Sequence, residues 1–297
     1  MKLNMEDRML QVVVYTALAL LSFVTFYPVW NTLVISLNEG SDTALGGLTF
    51  WPRAFTMENY QVVFKNDQFF QSLWISVARA VSGTFISILF TALLAYSLSK
   101  SELMGRKFYM MLAVITMFFS GGLIPTYLWL RELHMFDNFW VLIIPGMVNV
   151  WNMIVFRTFF RGLPDGIEES AKVDGCGNYG IFFRIVMPLS GPILATLSLF
   201  TAVTLWNEWF NASIYINNQQ LIPIQTYLIN VINSSSFQEQ MAQITGASGA
   251  MNAFRSTVTS KSLQMTTIMV ATLPIVIVYP FVQRFFVQGV MVGSLKE

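Results

Sequence analysis

The chain has 297 residues, of which 55% are hydrophobic and 11% are charged, and its mean hydropathy is +0.57. Soluble domains carry roughly 25% charged residues, so the composition argues against a water-soluble enzyme and indicates an integral membrane protein. A formal net charge of +1 gives no basic field for nucleic acid, and one cysteine, Cys176, with one histidine, His134, argues against disulfides and metal centres built from these residues.

Six apolar intervals without charged residues are long enough to span a membrane, which takes about 20 residues for a hydrocarbon core of roughly 30 Å. These intervals are residues 10–38, 80–99, 108–130, 138–156, 185–207 and 262–283. We expect the second helix to begin earlier, near Ser72, and to carry Arg79 in its first turns, with the guanidinium extended toward the membrane surface. The sequence therefore predicts an all-α membrane protein of six transmembrane helices, a single domain over 1–297 whose second to sixth spans lie within 72–288.

Two of the predicted spans contain residues that disfavour a continuous helix. Gly121, Gly122 and Pro125 interrupt the third span, and Pro274 and Pro280 interrupt the sixth. Such breaks can mark a hinge or bend that lines a substrate path, or they can be plain kinks whose backbone groups bind to neighbouring helices. The sequence leaves both alternatives open.

A seventh charge-free interval, residues 211–238, is too rich in amide side chains to lie in lipid, where an unpaired polar group is costly. We therefore predict that residues 211–258 form a long external loop, in which short helices can occur. Basic residues near the span ends predict the orientation, because cytoplasmic loops carry the excess of Lys and Arg. Most of the 17 Lys and Arg residues fall on inner segments if the amino terminus lies inside the cell, which predicts a cell-membrane protein with both termini in the cytoplasm.

The connection between the fourth and fifth spans, residues 161–188, contains the pattern of a short helix. In LPDGIEESAKVDG, Asp165 can cap the helix start, Glu168 and Glu169 lie in the first turn, where the helix dipole favours anions, and Glu168 precedes Lys172 by four residues. Gly175 is the expected stop. A helix of two or three turns persists only when it is packed on a partner surface. From composition alone, a helix that covers its own bundle and a helix that docks on another protein are equal alternatives.

The run EESAKVDGCGNYGIFFRIVMP resembles the loop of the integral-membrane subunits of bacterial ATP-binding-cassette (ABC) importers. The loop's pattern is Glu-Ala-Ala, an Asp-Gly three residues on, and an Ile and a Pro at the far end. The matching residues are Glu169, Ser170, Ala171, Asp174, Gly175, Ile185 and Pro188, with Ser170 in place of the usual Ala. The family has the type I importer fold, in which a cytoplasmic coupling helix lies between transmembrane helices 4 and 5.

The rest of the chain is similar to one group within that family. The segments YPVWNTLVISL, WPRAFTMENYQVVF and PFVQRFFVQGVMVGSLKE resemble the second permease subunit of the maltose-type carbohydrate uptake family. The predicted external loop resembles the subgroup that imports oligosaccharides released from plant or algal polysaccharides. The resemblance thus implies an oligosaccharide substrate.

The resemblance also implies partners and roles. The chain has no G-x-x-x-x-G-K-[ST] run, so we expect a non-catalytic permease without a cofactor, with ATP and Mg²⁺ bound by two partner ATPase subunits. The further expected partners are a second permease in a heterodimer, an extracellular solute-binding protein and membrane lipid, with no nucleic acid. Coupling to the ATPase is assigned to Glu168, Glu169, Ser170, Ala171, Asp174, Gly175, Ile185 and Pro188. The carboxyl tail, residues 293–297, is expected either at the ATPase interface or disordered.

A second set of polar and aromatic residues could face a sugar path: Asn149, Asn152, Trp206, Asn207, Glu208 and Trp209. Sugars need amide and carboxylate partners and an aromatic face, and polar groups at membrane depth usually face a cavity. Hydrogen bonds between helices and aromatic anchoring at the membrane interface explain the same residues without a ligand.

The rival function is a secondary transporter or channel that works without ATP. The single histidine and the near absence of acidic residues inside the spans count against ion coupling. A capped cytoplasmic helix would also have no purpose in such a protein.

Overall fold

A computed structural model describes residues 5–47, 50–245 and 258–294, and within these ranges the protein is helical, with one isolated β-bridge between Asn38 and Phe55. The α-helices are α1 (Met5–Ser36), α2 (Gly40–Ala44), α3 (Glu58–Phe64), α4 (Asp67–Ser99), α5 (Arg106–Phe118), α6 (Leu123–Glu132), α7 (Val150–Phe160), α8 (Asp165–Val173), α9 (Asn178–Ile181), α10 (Met187–Leu189), α11 (Gly191–Asn207), α12 (Phe210–Tyr215), α13 (Ile224–Thr245) and α14 (Ser260–Ser294). Shorter helical segments are the 3-10 turns Phe139–Leu142, Ile144–Gly146 and Gln219–Leu221 and the π-helical segment Phe182–Val186.

Three helices are individually long and apolar enough to cross a membrane: Asp7–Ser36, Asp67–Ser99 and Ser260–Val278. Three bent pairs pass the same criterion when each pair is taken together. These pairs are Arg106–Phe118 with Leu123–Glu132, Phe139–Gly146 with Val150–Phe160, and Asn178–Leu189 with Gly191–Asn207. All six intervals predicted from the sequence overlap these candidates, and α4 begins at Asp67, even earlier than the expected Ser72.

The bends have local causes. The first pair, Arg106–Phe118 with Leu123–Glu132, turns by 112°, and its break lies at the predicted glycines, where Gly122 has φ +82° before α6 begins. Glycine adopts this left-handed backbone without the Cβ penalty of other residues. Pro125 lies in the first turn of α6, where a missing N–H is tolerated. In contrast, α14 runs through Pro274 and Pro280, so neither proline ends the helix of the last candidate span.

The expected loop over 211–258 is more helical than predicted. Two α-helices fall within its first part, α12 and the 22-residue α13. Residues 224–245 contain neither Gly nor Pro, which permits this length, while the amide content keeps α13 below the hydropathy of a candidate span. Residues 246–257 lie outside the described part of the chain.

The chain divides into two compact units: unit 1 comprises Met1–Phe69 and Leu228–Leu273, and unit 2 comprises Phe70–Tyr227 and Pro274–Glu297. In unit 1 two buried asparagines organise the turn after α1. Asn59 donates to the carbonyls of Ser36 and Asn38 at 3.0 and 2.9 Å and accepts from the hydroxyl of Ser262. These bonds join the end of α1 to the start of α14, because a buried amide must be paired.

Two buried apolar clusters lie among the described residues of unit 2. The larger includes Tyr96 of α4, Phe156 and Phe160 of α7, Ala171 of α8 and Phe182 of the π-helical segment. Its aromatic rings are in contact, with 5.2 Å between the centroids of Tyr96 and Phe182. The smaller cluster joins α6, the Phe139–Leu142 turn and α12. The larger cluster therefore packs the short helix α8 against the long helices.

Candidate functional site

The first candidate site is the short helix α8 between the fourth and fifth candidate spans. Its N-cap is Pro164, which forms no side-chain capping hydrogen bond. Asp165 is the first helical residue, so the predicted N-cap was one residue too late; the side chain of Asp165 lies outside the described part of the structure. The position of Pro164 explains this, because proline holds the extended backbone that precedes a helix but offers no side-chain acceptor.

The end of α8 follows the prediction for Gly175, whose φ is +82°. The N–H of Cys176 donates to the carbonyl of Ala171 at 2.9 Å, and the N–H of Gly175 donates to that of Lys172 at 3.0 Å. This pair of bonds is the Schellman motif, which needs a left-handed residue at the position of Gly175. Cys176 also packs against the larger cluster of unit 2, as expected for a small packing residue.

Two charged residues of α8 form ion pairs with the segment after α4. Glu168 forms an ion pair with Lys100, whose Nζ lies 4.1 Å from the ring centroid of Tyr96. Lys172 lies 3.7 Å from the carboxylate of Glu102. The predicted pairing of Glu168 with Lys172 is therefore wrong, because each residue has a partner from outside the helix.

The two faces of α8 have different surroundings. Ala171 is buried in the larger cluster, and Glu168 is partly covered by its ion pair. Glu169, Ser170 and Asp174 are exposed, and Val173 keeps 87% of its surface exposed. This part of the helix is therefore open.

The remaining predicted coupling residues lie beside or beyond α8. Gly175 is exposed at its end, Ile185 packs against the larger cluster from the π-helical segment, and Pro188 is exposed in α10. The structure thus brings Ile185 and Ala171 to one buried cluster, while Pro188 lies outside it.

The second candidate site is a cavity of ≈ 1300 Å³ in unit 2. It is lined by residues of α4, α6, α7, α11, α12 and α14 and of the irregular segments that precede α7 and α12. The predicted path residues among its lining are Asn149, Asn152, Trp206 and Glu208. Asn207 and Trp209 are exposed and are not among the described lining residues. The same wall includes Trp151, half exposed, which the sequence analysis did not select.

The asparagines of the cavity also hold helices together. Asn149 caps α7 by accepting from the N–H of Asn152, and its own N–H donates to the hydroxyl of Thr91 in α4. The amide of Asn152 donates to the hydroxyl of Thr201 in α11 at 3.2 Å. The structural role that the sequence left open therefore exists, and these residues line the cavity as well.

Arg79 differs most from its sequence-based prediction. Its side chain is 2% exposed and forms an ion pair with Glu208, so the expected extension toward the membrane surface is wrong. The guanidinium also donates to the carbonyls of Leu142 and Glu208 at 3.3 and 2.8 Å. These carbonyls end a 3-10 turn and α11, where backbone acceptors lack helical partners. The sequence did contain a signal for this pair. Arg79 and Glu208 are single charged residues in otherwise uncharged stretches, and charges at membrane depth usually pair with one another.

The cavity wall is polar at only a few described positions. In residues 5–47, 50–245 and 258–294, no three His, Cys, Asp or Glu side chains are placed to hold a metal ion. The cavity offers amides, hydroxyls, indoles and one internal ion pair among its described lining residues. Such a wall can bind a polyhydroxylated ligand through hydrogen bonds and ring contacts.

Comparisons with known proteins agree on one family, although no protein-family profile matches the chain. The chain is 38% identical over 293 residues to the polygalacturonan/rhamnogalacturonan transport system permease protein YtcP of Bacillus subtilis, covering 98% of this chain and 100% of that protein. It is 24% identical to the arabinooligosaccharides transport system permease protein AraQ of Halalkalibacterium halodurans, covering 94% of both.

A solved structure is similar as well. It is a bacterial ABC transporter involved in the import of the acidic polysaccharide alginate, with a TM-score of 0.85, 26% sequence identity and coverage of 96% of this chain and 99% of that one. Likeness over nearly the full length, with identity well above 30% to a curated permease, confirms the resemblance that the loop motif carried. The chain therefore belongs to the permease subunits of ABC carbohydrate importers.

Proposed function

We propose that this permease forms, with a second permease subunit, the membrane path for an oligosaccharide that an extracellular binding protein delivers. Separate ATPase subunits bind ATP and Mg²⁺ and drive the transport. The relatives named for polygalacturonan/rhamnogalacturonan and arabinooligosaccharides support a saccharide of plant or algal origin. A secondary transporter, the rival function, is not favoured by these relatives.

The observation that carries the proposal is the division of α8 into an anchored face and an open face. Ala171, through the larger cluster, and Glu168, through its ion pair with Lys100, anchor the helix to the bundle. Glu169, Ser170 and Asp174, together with Gly175, remain available to a partner. A helix held in this way can transmit a push from a docked protein to the bundle as a rigid-body movement.

The topology that serves this role has six spans, counting each bent pair once. The coupling loop, residues 161–188, then faces the cytoplasm together with both termini, and residues 211–258 lie outside. Residues 1–297 form one permease domain, whose core spans lie within 72–288. The tail 293–297 extends toward the ATPase; its last three residues are outside the described part of the chain.

The cavity is the proposed site of sugar passage. Asn149, Asn152, Trp206 and Glu208 line it, and we assign Asn207 and Trp209 to its approach. The amides are partly occupied by helix contacts, so the wall offers a sugar a few hydrogen bonds rather than a tight site. Weak binding suits a transport path, because the ligand must also leave.

The test is affinity purification of the tagged chain from its native membrane in mild detergent. We expect a second permease and two ATPase copies to accompany it. Glu169→Lys, on the open face of α8, should reduce the amount of bound ATPase without affecting membrane insertion. Glu58→Lys, an exposed acid on α3, is the matched control and should retain the ATPase. Recovery of the wild-type chain alone, with activity in liposomes under an ion gradient, would contradict the proposal.

A further inference from the structure

The long helix α4 carries a charged contact at two well-separated points. Arg79 lies in the first half of this helix and pairs with Glu208 at the cavity. Lys100 directly follows the last helical residue and pairs with Glu168 of α8. The 21 intervening steps of about 1.5 Å place these two points about 30 Å apart along the axis, roughly the thickness of a hydrocarbon core.

The contact at Lys100 is partly enclosed. The side chains of Lys100 and Glu168 keep 28% and 18% of their surfaces exposed, and the ammonium lies over the ring of Tyr96. Next to this ion pair, Ala171 of α8 packs in the same apolar cluster as Tyr96 of α4. Partial removal from water strengthens the attraction between the charges and restricts the side chains to one arrangement.

Two further cations fix the same end of α4. The guanidinium of Arg157 donates to the carbonyl of Leu98 at 3.0 Å, and that of Arg106 donates to the carbonyl of Lys100 at 3.3 Å. The Leu98 carbonyl belongs to the last turn of α4 and the Lys100 carbonyl directly follows it. Intrahelical donors are missing at this end, and the helix dipole favours positive charge there. The end of α4 therefore cannot fray easily when α8 moves.

The other ion pair of α8 serves as a contrast within the same loop. Lys172 and Glu102 lie 3.7 Å apart, with 43% and 83% of their side chains exposed. An exposed pair of this kind is screened by solvent and contributes little. Of these two links between α8 and the segment after α4, only the Lys100–Glu168 pair is enclosed enough to transmit force.

We propose that Lys100 is a positioning residue of the transport cycle, which couples movement of α8 to α4 through its ion pair with Glu168. α4 then carries the movement to the cavity, where Arg79 holds the ends of the Phe139–Leu142 turn and of α11. This inference rests on the proposed function, since it assumes that an ATPase moves α8. It adds the specific contact through which the movement enters the bundle.

The experiment uses the whole importer, with partner permease, ATPase subunits and binding protein, in lipid nanodiscs. The sole cysteine is replaced by Cys176→Ala, and Thr204→Cys in the cavity wall serves as a reporter. The rate of reaction with a maleimide is measured with and without ATP and vanadate, alongside ATP hydrolysis and the amount of ATPase retained. With Lys100 intact, we expect the nucleotide to change the labelling rate by about fivefold or more.

The variants separate coupling from assembly. Lys100→Glu and the milder Lys100→Met should retain the ATPase and its hydrolysis but bring the ratio of labelling rates close to one. Combining Lys100→Glu with Glu168→Lys should restore the ratio, and Lys100→Arg should preserve it. Glu102→Lys, which disrupts the exposed pair nearby, is the matched control and should leave the ratio unchanged.

The outcomes distinguish this inference from the proposed function. An unchanged ratio in both Lys100→Glu and Lys100→Met would overturn the role of Lys100, as would failure of the charge exchange to restore a lost ratio. If the importer with Lys100 intact shows no response to nucleotide, the proposed function itself fails.

Discussion

Arg79 and Glu208 form an ion pair inside a wall that is otherwise uncharged among its described residues. The carboxylate of Glu208 also accepts from the N–H of Asn211 at 2.6 Å, at the start of α12. Arg79 thus connects α4 to the turn before α7 and to the break between α11 and α12. Its role in the structure is to supply donors where two helical segments end, the Phe139–Leu142 turn and α11.

Replacing one member of this ion pair should lower the stability of the protein more than replacing both members. Arg79→Met leaves the Glu208 carboxylate and two carbonyls without their donor, and we expect a loss of about 3 kcal/mol, as for other buried pairs. Adding Glu208→Gln to Arg79→Met should recover part of that loss. Thermal unfolding midpoints of the purified variants in detergent measure this, and equal midpoints for the single and double variants would contradict it.

Asp137 holds the loop after α12 from a left-handed backbone conformation, with φ +53°. Its carboxylate accepts the N–H groups of Asn218 and Asn217, and these backbone hydrogen bonds hold the pKa of Asp137 below 3.8. A lowered folded pKa means that the stabilisation is present above the unfolded value and is lost as pH falls through the folded value.

Asp137→Ala should therefore release this loop at neutral pH. Alanine removes the acceptor and disfavours a positive φ, whereas asparagine keeps an acceptor and tolerates that backbone. Hydrogen exchange of the Asn217 and Asn218 amides should accelerate in Asp137→Ala and change much less in Asp137→Asn. Similar protection in all three proteins would show that the carboxylate does not hold the loop.

At the scale of single residues, the sequence predicted the stop at Gly175, because it follows from a local rule for helix ends. It did not predict the partners of Arg79 or Glu168. Those partners lie 129 and 68 residues away, and local spacing carries no information about such contacts. Proximity in sequence favoured Lys172 as the partner of Glu168, but the folded chain offered Lys100.

At the scale of helices, the contact between α4 and α11 depends on the absence of a side chain at Gly83. A Cβ there would lie 2.7 Å from Cδ1 of Leu205. Small residues let membrane helices approach closely in this way. Because Leu205 is flexible at its end, Gly83→Ala should be tolerated by a small rotation of that side chain.

Gly83→Phe should separate α4 from α11 and destabilise the protein, because a large ring cannot fit where a methyl group is already tight. The measurement is the monodisperse fraction after heating in detergent, compared with Gly83→Ala as the matched control. The same monodisperse fraction for the phenylalanine and alanine variants would contradict this close contact.

Substitutions at Gly175, in the turn after α8, can separate the effect of backbone strain from the effect of a bulky side chain. No atom lies within 4 Å of the position that a Cβ at Gly175 would take, so a side chain there would meet no neighbour in this chain. Gly175→Asn should therefore preserve uptake, since asparagine tolerates the left-handed backbone, and Gly175→Ala should reduce it, with about 1–2 kcal/mol of strain.

Gly175→Arg should abolish uptake with membrane insertion intact, because its long side chain would occupy the space that the partner needs. Uptake by cells that produce equal amounts of each variant is the measurement. Normal uptake with Gly175→Arg would count heavily against docking at this surface.

The sequence predicted the positions of helices correctly where long apolar intervals marked the spans and glycines marked a break. The six apolar intervals and the break at Gly122 are examples. Proline was a poorer guide, because Pro274 and Pro280 lie inside a continuous helix. The extent of α13 was also missed, since the amides that exclude a segment from lipid do not prevent it from being helical.

At the scale of the whole molecule, composition and the loop motif together indicated the family before any contact was known. Composition alone indicated only a helical membrane protein. The motif added the family because it occurs between the fourth and fifth candidate spans, where importer permeases carry it. The cavity could not have been predicted in the same way, since its wall gathers residues from 77 to 278.

The central claim is that this chain transports a saccharide only as part of an ATP-driven assembly. The direct measurement is accumulation of labelled galacturonate or arabinose oligosaccharides in proteoliposomes, with the purified chain alone or with its partner permease, ATPase and binding protein. We expect accumulation only in the complete assembly with ATP inside the vesicles. Accumulation by the chain alone without nucleotide would contradict it.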